Sequence, residues 1–266
     1  MTRALRTLEF CGLPLLTGGM DEVADWIARR AESPSSPTTI AAHLNVFNYY
    51  LLQKRGDAIG AVRQHYQCLF DGIGMKLGAL VAGHGLLPDL NGTDLFLPVM
   101  RRIAETGSPV FFLGATPSVL TLAIEQVRRR FPGVRIAGSH DGYFTEADWP
   151  RVAATVRGSR ARLLLVSMGS SMQTGFLVRH RDDFGVSLVW NVGGLFDFVS
   201  GAKPRAPRWM RGARLEWLYR LAREPRRMWI RTCVAVPWFY YRVLRDSFFD
   251  RHTPHASAFQ RPGTES

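Results

Sequence analysis

The sequence is short of cysteine and has no long apolar run. Its three cysteines, Cys11, Cys68 and Cys233, are far apart with no C-x-x-C spacing, which excludes a disulfide scaffold and argues against a structural zinc site. No apolar stretch reaches the roughly 18 to 20 residues of a membrane-spanning helix. The best candidate near the C-terminus, 233–241, is interrupted by Pro237. Arg3 and Arg6 open the chain with no apolar stretch behind them, so no signal peptide is expected. Also missing are G-x-G-x-x-G, the P-loop and G-x-S-x-G, which disfavours a standard dinucleotide fold, a P-loop NTPase and a serine hydrolase. No D-x-D occurs and the seven histidines lack ligand spacing, so no metal site is expected.

What is present is a globular composition, with 46% apolar and 21% charged residues over 266 positions. That length suits one large domain, or a domain with an appendage, and needs no disulfide to hold its core. Charge is unevenly spread. Residues 1–200 carry 20 Lys and Arg against 17 Asp and Glu, whereas 201–251 carry 13 against 4. Twelve of those 13 cations are arginine, whose planar fork suits phosphate oxygens and aromatic faces. Such a patch fits an anionic membrane, a diphosphate or nucleic acid, or is simply a solvated basic helix.

The first 200 residues alternate short apolar runs with helical periodicity. Met20, Val23, Ala24 and Ile27 recur at helical spacing. Val110–Leu113 reads as a buried strand ending in Gly114, with Thr116 as N-cap and Pro117 at the first position of the next helix. Leu163–Val166 and Val186–Val192 are further strands, and 172–180 reads as a helix. This alternation predicts an α/β fold with a Rossmann-like parallel sheet, residues 1–202 forming the core. Residues 203–251 read as a basic, largely helical C-terminal appendage and 252–266 as a loose tail. Pro204–Arg214 reads as a hinge. Arg220, Arg223, Arg227 and Arg231 have the spacing of one helix face despite Pro225, and Trp217, Trp229, Trp238, Phe239, Tyr240 and Tyr241 interleave with them as interfacial aromatics would.

In a sheet of this kind ligands bind at the carboxyl ends of the strands. There the sequence places Asn45, DGIG from Asp71, NGTD from Asn91, Gly114–Ala115, DGYF from Asp141, MGSSMQ from Met168 and GGLFD from Gly193. Glycine turns allow close backbone approach, and N–H groups at a following helix start bind phosphate. Six such turns favour a nucleotide-type ligand. In order, with RAP at 205–207 and LEWLYRLAREPRR at 215–227, these motifs resemble the WecG/TagA/CpsF family of bacterial glycosyltransferases over residues 38–232.

The resemblance implies an inverting, metal-independent transfer from a UDP-sugar to a saccharide on a polyprenyl diphosphate, in cell-envelope or exopolysaccharide synthesis. It implies an enzyme peripheral on the cytoplasmic face of the bacterial plasma membrane. It requires no cofactor and no nucleic acid, and it leaves room for a homo-oligomer. Asp71 falls where the family's proposed base lies; within a D-G dipeptide its other role is a turn residue. Gln173 and His43 are its expected helpers. Gln173 survives in a stretch, 170–174, where the family's Pro, Lys and Glu are replaced, and His43 stands where many members carry Thr. That altered stretch keeps two alternatives open: a glucosyltransferase of exopolysaccharide assembly rather than an N-acetylmannosamine-type transferase, or a catalytically inactive nucleotide-sugar or nucleic-acid binder. The expected donor site comprises Asn45, Gly72, Asn91, Thr93, Asp94, Gly114, Ala115, Gly142, Tyr143, Gly169, Gly193, Gly194 and Asp197, with helix capping as a second role for Asp94. Arg220, Arg226, Arg227 and Arg231 are expected to meet the diphosphate and the anionic membrane surface.

Overall fold

A computed structural model describes residues 5–33, 38–54, 56–169, 176–204, 206–212 and 216–250. The strands are β1 (Arg6–Phe10), β2 (Leu13–Thr17), β3 (Thr39–Leu44), β4 (Tyr66–Phe70), β5 (Val110–Gly114), β6 (Ile136–His140), β7 (Leu163–Ser167) and β8 (Leu188–Asn191). They form one sheet in the order β1-β2-β4-β3-β8-β7-β5-β6. Only the edge pair β1–β2 is antiparallel; the other neighbours run parallel. The Rossmann-like expectation therefore holds. The N-terminal hairpin was not anticipated. Its two-residue turn, Cys11–Gly12, takes φ of 53° and 73°, the left-handed pair that matches the twist of a tight hairpin.

Strands buried on both faces read as unbroken apolar runs, and all five residues of β5 and of β7 are buried. Side chains alternate between two cores. Ile40, Phe70, Leu113, Val166 and Val189 enter one, and Ala41, Leu69, Phe112, Leu165 and Trp190 enter the other. The first core is covered by α2 (Val46–Lys54), α3 (Asp57–His65), α4 (Ile73–Val81) and α7 (Trp149–Gly158). The second is covered by α1 (Met20–Glu32), α5 (Gly92–Thr106), α6 (Pro117–Arg130) and α8 (Leu195–Val199). As the sequence suggested, Thr116 caps α6, its hydroxyl accepting the Val119 N–H at 3.4 Å, with Pro117 in the first turn.

The C-terminal segment differs from its sequence reading in three ways. First, the arginine spacing does not make one helix face. α10 (Glu216–Arg223) stops at Glu224, whose φ and ψ of −132° and 61° are not helical, and α11 (Pro225–Trp229) starts afresh. Pro225 lacks an N–H and is suited to open a helix rather than continue one. Second, the 204–214 hinge contains a short helix, α9 (Arg208–Gly212). Third, the aromatic run at 238–241 is not all interfacial. A π-helical turn, Ile230–Val234, leads into α12 (Ala235–Asp250), which packs on α2 and α4. Phe239 is wholly buried in the first core, its ring centroid 6.4 Å from Phe10 and 5.6 Å from Tyr49. Trp238 lies edge-on to Tyr50 at 5.3 Å. Among the described residues no helix is long and apolar enough to cross a membrane.

Phe239 thus belongs to the sheet's own core. Phe239→Ala is expected to destabilise the protein by about 3–5 kcal/mol, the usual cost of emptying a buried phenylalanine site. Urea unfolding followed by circular dichroism measures this; a loss below about 1 kcal/mol would mean that α12 is only loosely attached.

Candidate active site

The chain leaves β3 for the face covered by α2 and leaves β8 for the face covered by α8. Neighbouring strands whose loops turn to opposite faces open a crevice at their carboxyl ends. β5 and β6 repeat the reversal, with α6 in the second core and α7 in the first.

At its β3–β4 end, the last paired residues are Leu44 and Phe70, which sets Asn45 beside Asp71. The Asn45 amide oxygen accepts the Asn48 N–H at 2.9 Å, capping α2. With its oxygen so engaged, the Asn45 amide nitrogen donates to Asp71 Oδ2 at 3.3 Å. The cap therefore decides which end of the amide faces the carboxylate. The Asp71 main chain is held as well, its N–H donating to the Leu44 carbonyl at 3.1 Å. Asp71 lies just before α4, whose unpaired N-terminal N–H groups favour negative charge nearby.

His43 sits one step back on β3. The Trp190 indole N–H donates to its Nε2 at 3.0 Å. Indole nitrogen can only donate, so Nε2 is a bare acceptor and a neutral ring carries its proton on Nδ1. Burial pushes the His43 pKa down to about 4, against smaller upward pulls from the Leu90 main chain and the Asp89 charge. Nδ1 is sealed from solvent and faces the Leu90 main chain.

Along the rest of the crevice the glycine turns are tied together. The Ala115 N–H donates to the Ser167 carbonyl and the Gly142 N–H to the Ala115 carbonyl, both at 2.9 Å. Ser167 Oγ donates to the Gly193 carbonyl at 2.6 Å, and Gly193 N–H to Asn191 Oδ1 at 3.2 Å. Gly114 has φ of 127°, and a Cβ there would meet the Ser167 carbonyl oxygen at 2.2 Å, so no larger residue fits. Ala115, at φ of 59°, is left-handed without being glycine, a strain held by those two hydrogen bonds. Asp141 accepts the Tyr143 N–H at 2.8 Å and leaves the Tyr143 ring 75% exposed. Gly169 closes β7 with φ of 75°, and Gly194 precedes α8.

The structure thus gathers Asn45, Asp71, Gly72 and His43 at one end and Gly114, Ala115, Gly142, Tyr143, Gly169, Gly193 and Gly194 along the other. Beside the first end, where a Cβ on Gly92 would meet His43 Nε2 at 3.1 Å, Asn91 caps α5, accepting the Asp94 N–H at 3.0 Å and donating to Asp94 Oδ2 at 2.8 Å, with Thr93 in the same turn. The cap is thus Asn91, and Asp94 closes back onto it. Asp197 is bound to Lys203 at 3.0 Å, and Lys203 also reaches Glu224 at 3.6 Å, tying α8 to the start of α11. The Arg220 guanidinium lies over Phe198 of α8 at 5.0 Å and that of Arg231 over Phe47 of α2 at 4.5 Å. Arg226 is exposed. Gln173 and the Arg227 side chain lie outside the described residues, as do 251–266.

The profile of the glycosyl transferase WecG/TagA/CpsF family matches residues 8–253. The chain belongs to that family. The N-acetylglucosaminyldiphosphoundecaprenol N-acetyl-β-D-mannosaminyltransferase of Bacillus spizizenii is similar to it, 35% identical over 175 residues. That alignment covers 66% of either chain, so this chain spans just under two thirds of that relative. The family sequence pattern pointed to Asp71 and the glycine turns. It gave no sign of Trp190, Ser167, Lys203 or Asp89, which act across the fold and carry no local motif.

His43 has a consequence for stability. Its folded pKa of about 4 lies below the usual 6.5. The unfolded chain therefore binds the proton first, and stability is lost as pH falls from about 6.5 through 4. Urea unfolding at pH 7 and 4.5 is expected to show a drop that His43→Gln reduces by roughly 2–3 kcal/mol. Equal drops in both proteins would mean that the ring is not held neutral.

Proposed function

We propose that this family member is an inverting, metal-independent glycosyltransferase that moves a sugar from a UDP-sugar to a saccharide linked to polyprenyl diphosphate. The observation that carries the reading is the Asn45–Asp71 pair at the mouth of the crevice. An inverting transfer needs one base. Asp71 takes the proton of the acceptor hydroxyl as that oxygen attacks the anomeric carbon. The bond from the anomeric carbon to the donor's diphosphate breaks on the opposite side, and UDP leaves with the electron pair. Asn45 holds the carboxylate for this step. His43, neutral and bound to Trp190, supports the strand end rather than handling a proton, and Gln173 contacts a sugar. The Gly114–Ala115, Gly142–Tyr143, Gly169 and Gly193–Gly194 turns, whose glycines let a ligand approach the backbone closely, form the donor site with Gly72, Asn91, Thr93, Asp94 and Asp197.

The family and the bacillus relative, whose name specifies an N-acetylglucosaminyldiphosphoundecaprenol acceptor, support a lipid-linked acceptor. A lipid-linked acceptor supports a peripheral position at the inner face of the plasma membrane. Arg220, Arg226, Arg227 and Arg231 then face diphosphate and anionic headgroups. Exposed Trp217, Trp229 and Ile230 lie within three residues of them in sequence, exposed Tyr241 follows on α12, and α4 adds exposed Leu77, Leu80 and Val81 at helical spacing. Arginine beside exposed aromatic and aliphatic side chains suits a membrane interface.

The test is transfer to a short-chain polyprenyl-diphosphate N-acetylglucosamine from UDP-N-acetylmannosamine and from UDP-glucose, with EDTA present. Turnover is expected with one of them, and Asp71→Asn is expected to lower it by roughly 10² or more. Near-normal turnover in that variant removes Asp71 from the mechanism, and a strict need for Mg²⁺ or Mn²⁺ overturns the metal-independent reading. For the membrane, co-sedimentation with phosphatidylglycerol vesicles is expected to fall about ten-fold or more in the Arg226→Glu/Arg227→Glu double variant, since each basic residue at the surface contributes about 1 kcal/mol. Unchanged sedimentation would remove this segment from membrane contact.

A further inference from the structure

We propose that Asp89 is a positioning residue for the Asp71 turn, a role that rests on the reading of Asp71 as the base. Asp71 falls between the end of β4 and the start of α4, with its own N–H held by the Leu44 carbonyl. Two further groups of its flanking peptides, the Phe70 carbonyl and the Gly72 N–H, are gripped from one short segment. The Leu90 N–H donates to the Phe70 carbonyl at 2.7 Å, and Asp89 Oδ1 accepts the Gly72 N–H at 2.9 Å. Gly72, the residue that opens α4, takes φ of 91°, a conformation that suits glycine and that the Asp89 hydrogen bond helps to hold.

The gripping segment is itself fixed. Leu90 is fully buried in the second core, and the next residue, Asn91, caps α5. The Asp89 carboxylate is therefore presented from a rigid base. Without it, the Gly72 N–H loses its acceptor and the peptide after Asp71 is free to turn, carrying the Asp71 carboxylate away from Asn45. Of the proposed donor site only Gly72 is touched by this change; the glycine turns tied to β5, β6, β7 and β8 are not. The expected defect is therefore larger in turnover than in donor affinity.

The test uses the full chain with Asp89→Ala, Asp89→Ser, Asp89→Asn and Asp71→Asn, and the donor that supports transfer. Hydrogen exchange of the peptide containing Gly72 is read beside kcat and donor KM. Asp89→Ala is expected to lower kcat about ten-fold or more, the scale on which misplaced catalytic groups lose rate, with donor KM within about two-fold and faster exchange at Gly72. Asp89→Ser, too short to reach Gly72, provides the same reading should the alanine variant fail to fold. Asp89→Asn keeps an oxygen acceptor and is expected to restore kcat to within about three-fold and to restore slow exchange. Wild-type kcat in Asp89→Ala or Asp89→Ser, or an Asp89→Asn variant as impaired as they are, overturns the proposal. An inactive Asp71→Asn beside a fully active Asp89→Ala removes only the positioning role. An active Asp71→Asn removes the base, and this inference with it.

Discussion

One hydrogen bond organises the candidate site: Asn45 to Asp71, across the carboxyl ends of two neighbouring parallel strands. A carboxylate that serves as a base must be held in place and left with a face open to its substrate. Here the holding is done by an amide whose other end is committed to capping α2. Helix capping, strand register and carboxylate orientation are thus one linked arrangement. The β3–β4 register places the two residues side by side, and a slip of one position would turn every side chain of either strand to the wrong core.

The remainder of the crevice follows from the same parallel sheet. Because successive strands send their loops to opposite faces, the space above the strand ends is left to glycine turns. Ser167 links two of these, through its main chain to Ala115 and through its hydroxyl to Gly193. The C-terminal segment then crosses the molecule. It is tied to α8 through Lys203 and Glu224, lies on α2 through Arg231 and Phe47, and reaches α4 through the Tyr240 hydroxyl, which donates to the Gly74 carbonyl at 3.0 Å. Arg220 and Arg231 are each held over an aromatic ring of a core helix and are not lined up by helical periodicity.

Much of this was legible in the residues. The apolar runs at 110–113 and 163–166, the Thr116–Pro117 helix start and the glycine-bearing strand ends gave the sheet and the crevice, because those signals are local. Contacts made over long separations were not legible. Trp190 fixes His43 from 147 positions away, and Asp89 reaches Gly72 across 17. The arginine spacing misled because Pro225 restarts the helix, which rotates the later residues out of line. The aromatic run misled because Phe239 finds Phe10 and Tyr49, partners that only the folded sheet brings together. The N-terminal hairpin went unread because its Cys11–Gly12 turn lacks the Asn-Gly or Asp-Gly that marks such turns most strongly.

The central claim is that a single carboxylate, held by Asn45, drives a one-step displacement. The stereochemistry of the product tests it most directly. The linkage formed from an α-configured UDP-sugar can be read from the one-bond carbon–proton coupling at the new anomeric centre by nuclear magnetic resonance. The account requires a β linkage. An α linkage would demand a covalent intermediate or a same-face departure, and would contradict the role given to Asp71.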